Sequence, residues 1–464
     1  VVNALDVLTE PGVWTHLKRA LRNGEMEVAA YDPLYMMAGS GIKPEPIPVE
    51  VKVVLIGEPW VYRALWQLDD EFKMIFKVKA EFDSVMPLTD KNIQQYYQFM
   101  RRIIEDEHLL PFDMTAMQTV TEYGRRLAGH REKLTVRFTL VADILRESDY
   151  HARARKAKAA TRADVERAVI ARRTRVNLME DKIQEMFDTE MLLVSTTGAT
   201  VGQINGLSVY TVGEYSFGRP SRITVNTSLG KAGVVSIERE AELSGPIHTK
   251  GVAVLSGFLR ETFAQDKPLV MSASITFEQS YGGVDGDSAS SAEVYGILSS
   301  LTGIPINQEI AVTGSVNQKG EIQPIGGANE KIEGFYDVCR SRGLSGKQGV
   351  IIPRQNVQDL LLRPDVTQAI KDRKFHIWPV KRITDGIEIL TGHPGGKHLK
   401  GGKFTPGSIF AMADDRLRQM ALAIDRFGHD EKDNNGPTNG KKSGPAPKRA
   451  RTTSPRGRRS RSRR

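Results

Sequence analysis

The chain has 464 residues, 40% hydrophobic and 26% charged, proportions that exclude a fibrous or wholly disordered protein and leave room for two or three packed domains. No stretch approaches 18 consecutive apolar residues, so no membrane-spanning helix is expected, and the single cysteine, Cys339, excludes a disulfide framework and argues against a thiolate metal site. The formal charge of +9 belongs to the end: residues 441–464 hold eleven lysines and arginines and no acid, which leaves −2 for the 440 residues before them.

The opening VVNALDVLTE lacks an initiator Met, a basic n-region and a signal-peptide cleavage site. The chain is expected to be a piece of something longer. TEPGVWTHLKRAL reads as a helix start, with Thr9 as N-cap, Pro11 in the first turn and Trp14, Leu17 and Leu21 on one face. VKVVLIG, residues 51–57, reads as a short buried strand ending at Gly57. Residues 88–188 read as an all-helical module of about four helices. TDKNIQQYYQFMRRIIEDE can be capped by Thr89, and TRADVERAVIARRTRVNLMEDKIQEMF opens with the capping-box pair Thr161 and Asp164. Between them, RFTLVADILRESDYHARARKAKAA has neither Pro nor Gly.

Near residue 190 the pattern changes. EMLLVSTTGATVGQINGLSVYTVGEYSFGRPSRITVNTSLG is rich in Val, Thr, Tyr and Gly and alternates, which predicts strands and turns. A helix over 289–301 is then followed by strand-like EIAVTGSV, a helix over 328–342 and the strand GVIIP. A helical turn around NVQDLLL, the strand KFHIWPV and a short helix near 384–391 complete the series. Such alternation predicts an α/β domain. From about 395 the sequence loosens, one helix, RLRQMALAIDRF, follows, and the rest is disordered by composition.

The segment GGVDGDSASSAEVYGIL, residues 282–298, sets a glycine-rich turn before Val294, Ile297, Leu298 and Leu301, which repeat at helical spacing. Ser288 falls at that helix's N-terminus, where main-chain N–H groups lack partners and would stabilise an oxyanion. On residues alone, an ordinary N-cap serine is the competing reading. A serine nucleophile needs a base, and no histidine forms a triad signature with it. In GGANEKIEGFYDVCRSRGL, Lys331 stands at the edge of the apolar stripe Ile332, Phe335, Tyr336 and Cys339. Loss of hydration there would lower its pKa from about 10.4 towards 7–8 and make it a proton acceptor. The competing reading is a lysine whose amine reaches water.

These segments together resemble the proteolytic domain of Lon proteases, which are Ser–Lys peptidases. DGDSAS (285–290), GIPINQEIAVTGSVNQKGEIQPIGG (303–327) and NEKIEG (329–334) carry the likeness. GDSAS resembles the archaeal type. The longer run VGQINGLSVY…GEYSFGRPSRIT…IEREAELSGPIHTKGVAVLSG…FEQSYGGVDGDSAS is closer to bacterial Lon-related ATP-dependent proteases. The resemblance implies a Lon-type α/β protease domain preceded by the end of a AAA-type α/β core and a helical lid. The expected boundaries are 1–87 for the core, 88–190 for the lid, 191–397 for the proteolytic domain, 398–428 for an extension with one helix and 429–464 for a disordered basic tail.

By the family motif Ser288 is the nucleophile and Lys331 the general base. Thr313 matches a threonine that orients the lysine amine, and Asp285 a further site residue of less defined role. Ser315 receives no role, and Ser290 and Ser291 are expected to support the helix start. His248 in GPIHTKG reads equally as a groove residue or a surface-loop histidine. The resemblance further implies unfolded protein substrates, a homohexamer and a cytoplasmic location, and ATP with Mg as cofactors of the full-length parent. This chain itself is expected to bind no cofactor and no metal. It contains no G-x-x-x-x-G-K-[ST], and Asn3 and Ala4 stand where an active ATPase has acids for Mg, so negligible ATP hydrolysis is expected. Lys77, Lys79 or an arginine in YGRRLAGHREK would touch nucleotide in a neighbouring subunit or lie on a solvated helix face. Residues 441–464 would bind nucleic acid weakly and without sequence preference through counterion release. The alternative reading of the whole chain is an inactive AAA-like scaffold or nucleic-acid-binding protein that uses this tail.

Overall fold

The computed structural model describes residues 1–27, 45–399 and 401–434. The basic segment 441–464, with the nucleic-acid binding expected of it, lies outside the described residues. Two compact units are present, Val1–Asp83 and Ser84–Arg464.

In the first unit the strand Val2–Asn3 pairs in parallel with Leu55–Ile56. Asn3 ends the strand and caps the helix Ala4–Thr9, its side-chain oxygen accepting from Leu5 N at 2.8 Å. Thr9 therefore closes a helix instead of opening one. The ring of Pro11 cannot continue that helix, and the next, Val13–Asn23, starts after Gly12. Trp14, Val61, Leu65 and Phe72 form the unit's small core. VKVVLIG is shorter and more open than its composition predicts, with only Leu55–Ile56 as strand and Ile56 61% exposed. A strand is buried only where other elements cover both its faces, and the described residues here cover little of it.

The second unit begins with five helices, one more than the periodicity suggests: α1 Asp90–Asp106, α2 Met114–Ala128, α3 Phe138–Ala154, α4 Arg162–Thr174 and α5 Leu178–Asp188. Thr89 caps α1, and the Thr161–Asp164 box opens α4. The module is not purely helical, because Val85–Pro87 and Lys133–Thr135 pair as a short antiparallel ladder.

The rest of the unit is built on a seven-stranded sheet. Its strands are β1 Gln203–Val212, β2 Tyr215–Leu229, β3 Gly233–Ser236, β4 Met271–Phe277, β5 Ile310–Val312, β6 Gly349–Pro353 and β7 His376–Val380. In space the order is β3-β4-β2-β1-β5-β6-β7. β1, β5, β6 and β7 run parallel to one another, while β2 is antiparallel to both β1 and β4. The helices are α6 Pro246–Phe263, α7 Ser290–Thr302, α8 Ala328–Arg342, α9 Pro364–Lys371, α10 Ile383–Thr391 and α11 Ile409–Asn434.

Alternation along the parallel strands feeds two cores. Ile310, Val312 and Ile351 join α6, α7, α10 and α11 on one face of the sheet. Ala311, Val350 and Ile352 join α8 and α9 on the other. The result is a three-layer α/β architecture. α7 is buried nearly all round, not on one face. Small residues allow this: a methyl added at Gly296 would lie 2.6 Å from Val225 Cγ2. α11 starts at Ile409, seven residues before the expected helix, and Phe410, Ala413, Leu417 and Met420 complete the same core as α7. Residues beyond 397 are thus packed with the core of the seven-stranded sheet, and the helix continues to Asn434, past the point where the tail was expected to begin.

Candidate active site

The loop before α7 reaches Ser288 through Gly286, whose φ of +92° favours glycine. Ser290 then starts the helix, two residues after Ser288. The loop is tied to the carboxyl end of β5, a place where open α/β sheets commonly bind ligands. Gly314 N donates to Ser288 O at 2.7 Å, and Ser291 N donates to Gly314 O at 3.1 Å. Ser290 Oγ accepts from Val316 N at 3.0 Å, which ties the helix start to the segment after β5, and no side chain caps the helix. Ser291 Oγ, also buried, has no hydrogen-bond partner among the described residues.

Asp285 fixes the other end of the loop. Its Oδ1 accepts from Ile247 N and His248 N, at 3.1 and 3.2 Å, in the first turn of α6. Gly245 leaves the space for this, since a methyl there would come within 2.3 Å of Asp285 Cγ. Main-chain donors, first Gly286 and then His248 and Ile247, hold the Asp285 carboxyl below its usual range.

Lys331 arrives from the opposite layer. Gly327, at φ +67°, turns the chain into α8. The helix lies directly on β2 because both contact positions are glycine. A methyl on Gly218 would fall 1.9 Å from Glu330 O and 2.8 Å from Lys331 Cα, and one on Gly334 would fall 2.1 Å from Gly218 O. From this backbone Lys331 extends to Ser288, with Nζ donating to Ser288 Oγ at 2.8 Å and to Thr313 Oγ1 at 3.2 Å. Thr313 Oγ1 in turn donates to Ser288 O at 3.2 Å, so one threonine touches both partners. Lys331 is only 3% exposed. Burial pulls its pKa down to about 8, against the opposing charges of Asp287 and Glu330. A hydroxyl beside a buried amine of this kind can surrender its proton to it.

The structure therefore brings Ser288, Lys331 and Thr313 together, and leaves exposed Asp285 at the rim. It also supplies contacts that sequence reasoning did not assign. Ser315 Oγ donates to Asp287 Oδ2 at 2.7 Å, which fixes the carboxylate next to Ser288. The signal was present in the three residues of GDS, but Asp287 shares no local pattern with Ser315. His248 is no surface-loop residue: it lies in α6 at 2% exposure, with Nδ1 3.8 Å from Glu293 Oε1. Burial lowers its pKa and raises that of Glu293 to about 8, with Glu238 adding to the latter.

Comparison with known proteins covers most of this architecture. Residues 1–83 match the LonB-like AAA domain, 111–175 the archaeal LonB AAA+ ATPase LID domain and 261–391 the Lon protease (S16) C-terminal proteolytic domain. A protein of Escherichia coli (strain K12) named as a Lon protease homolog is 33% identical over 396 residues, 84% of this chain and 66% of its own length. One of the same name from Haemophilus influenzae is 32% identical, over 84% of this chain and 64% of its length. The archaeal Lon protease of Archaeoglobus fulgidus is 27% identical over 76% of this chain and 54% of its length. The chain thus spans about two thirds of the bacterial relatives and about half of the archaeal one. AAA, lid and proteolytic segments follow one another here in the order of those models, and the chain belongs to the Lon protease family.

Proposed function

We propose that this protein is a serine endopeptidase that cleaves unfolded or damaged polypeptides with Ser288 as nucleophile and Lys331 as general base. The observation that carries the reading is the 2.8 Å separation of Lys331 Nζ and Ser288 Oγ at an amine with 3% exposure. In the neutral form the amine takes the Ser288 proton as Oγ attacks the scissile carbonyl carbon. Thr313 Oγ1 directs the amine at Oγ. The oxyanion meets the main-chain N–H groups of Ser288 and Ala289. Neither has a protein acceptor among the described residues, whereas those of Ser290 and Ser291 are engaged by Asp287 O and Gly314 O. The lysine ammonium then returns its proton to the leaving amine, and water, deprotonated by the same lysine, releases the acyl group. Asp285 fixes the loop from its far end.

Family membership suggests ATP and Mg for the longer protein. The residues here do not fit that group: the sequence has no phosphate-cradling motif, and Asn3, at the strand end, is occupied in capping a helix. A longer protein of this family would add ATP dependence, a hexameric ring and a cytoplasmic location. No helix among the described residues is long and apolar enough to cross a membrane.

Ser288→Ala and Lys331→Ala are each expected to abolish cleavage of an unfolded substrate such as casein, and labelling by a fluorophosphonate, while the melting transition persists. Retained cleavage in either folded variant would overturn the dyad and favour the scaffold alternative.

A further inference from the structure

Lys331 leaves α8 on one side; Asn329, Glu333 and Asp337, four residues apart, line another. That stripe is fully engaged. Asn329 donates to Asp359 O at 3.0 Å and accepts from Leu361 N at 2.7 Å. Glu333 accepts from Arg363 N at 2.8 Å, and Asp337 accepts both terminal nitrogens of Arg363 at 2.7 and 2.6 Å. Two arginines from the helical module complete it. Arg126, in the last turn of α2, donates to both oxygens of Glu333 at 2.9 and 2.6 Å and to Leu361 O at 2.9 Å. Arg173, in the last turn of α4, donates to Tyr215 Oη at 3.0 Å and to Glu180, and lies 3.8 Å from Asp337. Tyr215 opens β2, the strand whose Gly218 touches the backbone of Lys331.

Arg126 is thus tied into its own chain by three hydrogen bonds, with about a third of its side chain exposed. It reaches across 207 residues of sequence to a carboxylate two positions from the lysine. A two-pronged guanidinium–carboxylate pair fixes angle as well as distance. The Glu333 side chain is 9% exposed, so without Arg126 it would be an under-compensated buried charge drawing in water or a new partner. Proton transfer to a base is sensitive to misplacement on the scale of 1 Å.

We infer that Arg126 and Arg173 are positioning residues for Lys331: the helical module grips the back of α8 and so sets the approach of the amine to Ser288 Oγ. The inference rests on the Ser–Lys reading above. It makes the helical module a structural part of the proteolytic site, since any displacement of α2 or α4 is transmitted to the helix that carries the base.

The test is the rate at which a fluorophosphonate labels Ser288 in the full chain, followed from pH 6 to 10. In the parent the rate should rise with a midpoint near 8, set by an amine faced by Asp287 and Glu330. Arg126→Ala is expected to label about tenfold more slowly at pH 8, with the midpoint moved upward as water reaches the amine. Arg126→Lys should recover part of both. If Arg126→Ala does not fold, Glu333→Gln, which keeps the shape and removes the charge, is read in its place with the same expectations. A folded Arg126→Ala or Glu333→Gln that labels at the parent's rate and midpoint overturns the inference. Ser288→Ala and Lys331→Ala run alongside: labelling that survives in those variants sinks the dyad itself, whereas their silence beside an unaltered Arg126→Ala sinks only the positioning role.

Discussion

Lys331 is held where its charge is least welcome. An ammonium at 3% exposure costs folding energy, and the same burial makes the amine usable as a base. Its pKa is near 8 in the fold and near 10.5 in the unfolded chain, so between those values the unfolded state binds more protons. Stability from this residue therefore rises as pH climbs from 8 towards 10.5 and is lowest below 8. Lys331→Met is expected to be inactive yet more stable by about 1–3 kcal/mol at pH 7, the advantage shrinking by pH 10. Thermal melts of both proteins at the two pH values check this; a Met variant that is less stable at pH 7 would contradict it. The meeting of Ser288 and Lys331 could be expected from the sequence because each sits in a short motif. Asp287–Ser315 and Arg126–Glu333 were not, because nothing in a linear string marks a pairing made by tertiary folding across 28 or 207 positions.

At the scale of elements, the placing of α8 against β2 is what brings the lysine within reach. Helix and strand normally keep side chains between them; here Gly218 and Gly334 remove that layer. Gly218→Ala forces the backbone at Glu330 and Lys331 away. It is expected to destabilise the protein by about 1–3 kcal/mol and to remove most peptide cleavage. Wild-type turnover and an unchanged denaturation midpoint in this variant would show that the contact is slack. Most strands and helices around the site follow their sequence period, from the strand at GVIIP to the helix over 328–342. α9 was missed although Pro364 stands in its first turn, because Val366, Ala369 and Ile370 offer too few apolar positions to separate it from the neighbouring helical turn. VKVVLIG failed the other way: its composition is that of a covered strand, and composition does not say what covers it.

For the molecule as a whole, the proteolytic core does not close at residue 397. Phe410, on α11, packs edge to face against Phe263 of α6 with ring centroids 5.4 Å apart, and Leu417 and Met420 join the cluster around α7. A chain ending at 397 would leave those apolar surfaces of α6 and α7 open and is expected to aggregate and lose cleavage. One ending at 434 should keep the parent's activity and melting temperature. Comparing the soluble yield and casein cleavage of the two truncations decides the matter, and an active, soluble 1–397 chain would refute it.

α11 also has a geometrical outcome. At 1.5 Å per residue, Asn434 stands about 15 Å along the helix axis from Ile424, the last of its described side chains packed against the core. Substitutions at Ile409, Phe410 or Leu417 therefore act directly on the core around α7, whereas the end of α11 lies about three helical turns beyond its last described contact with that core.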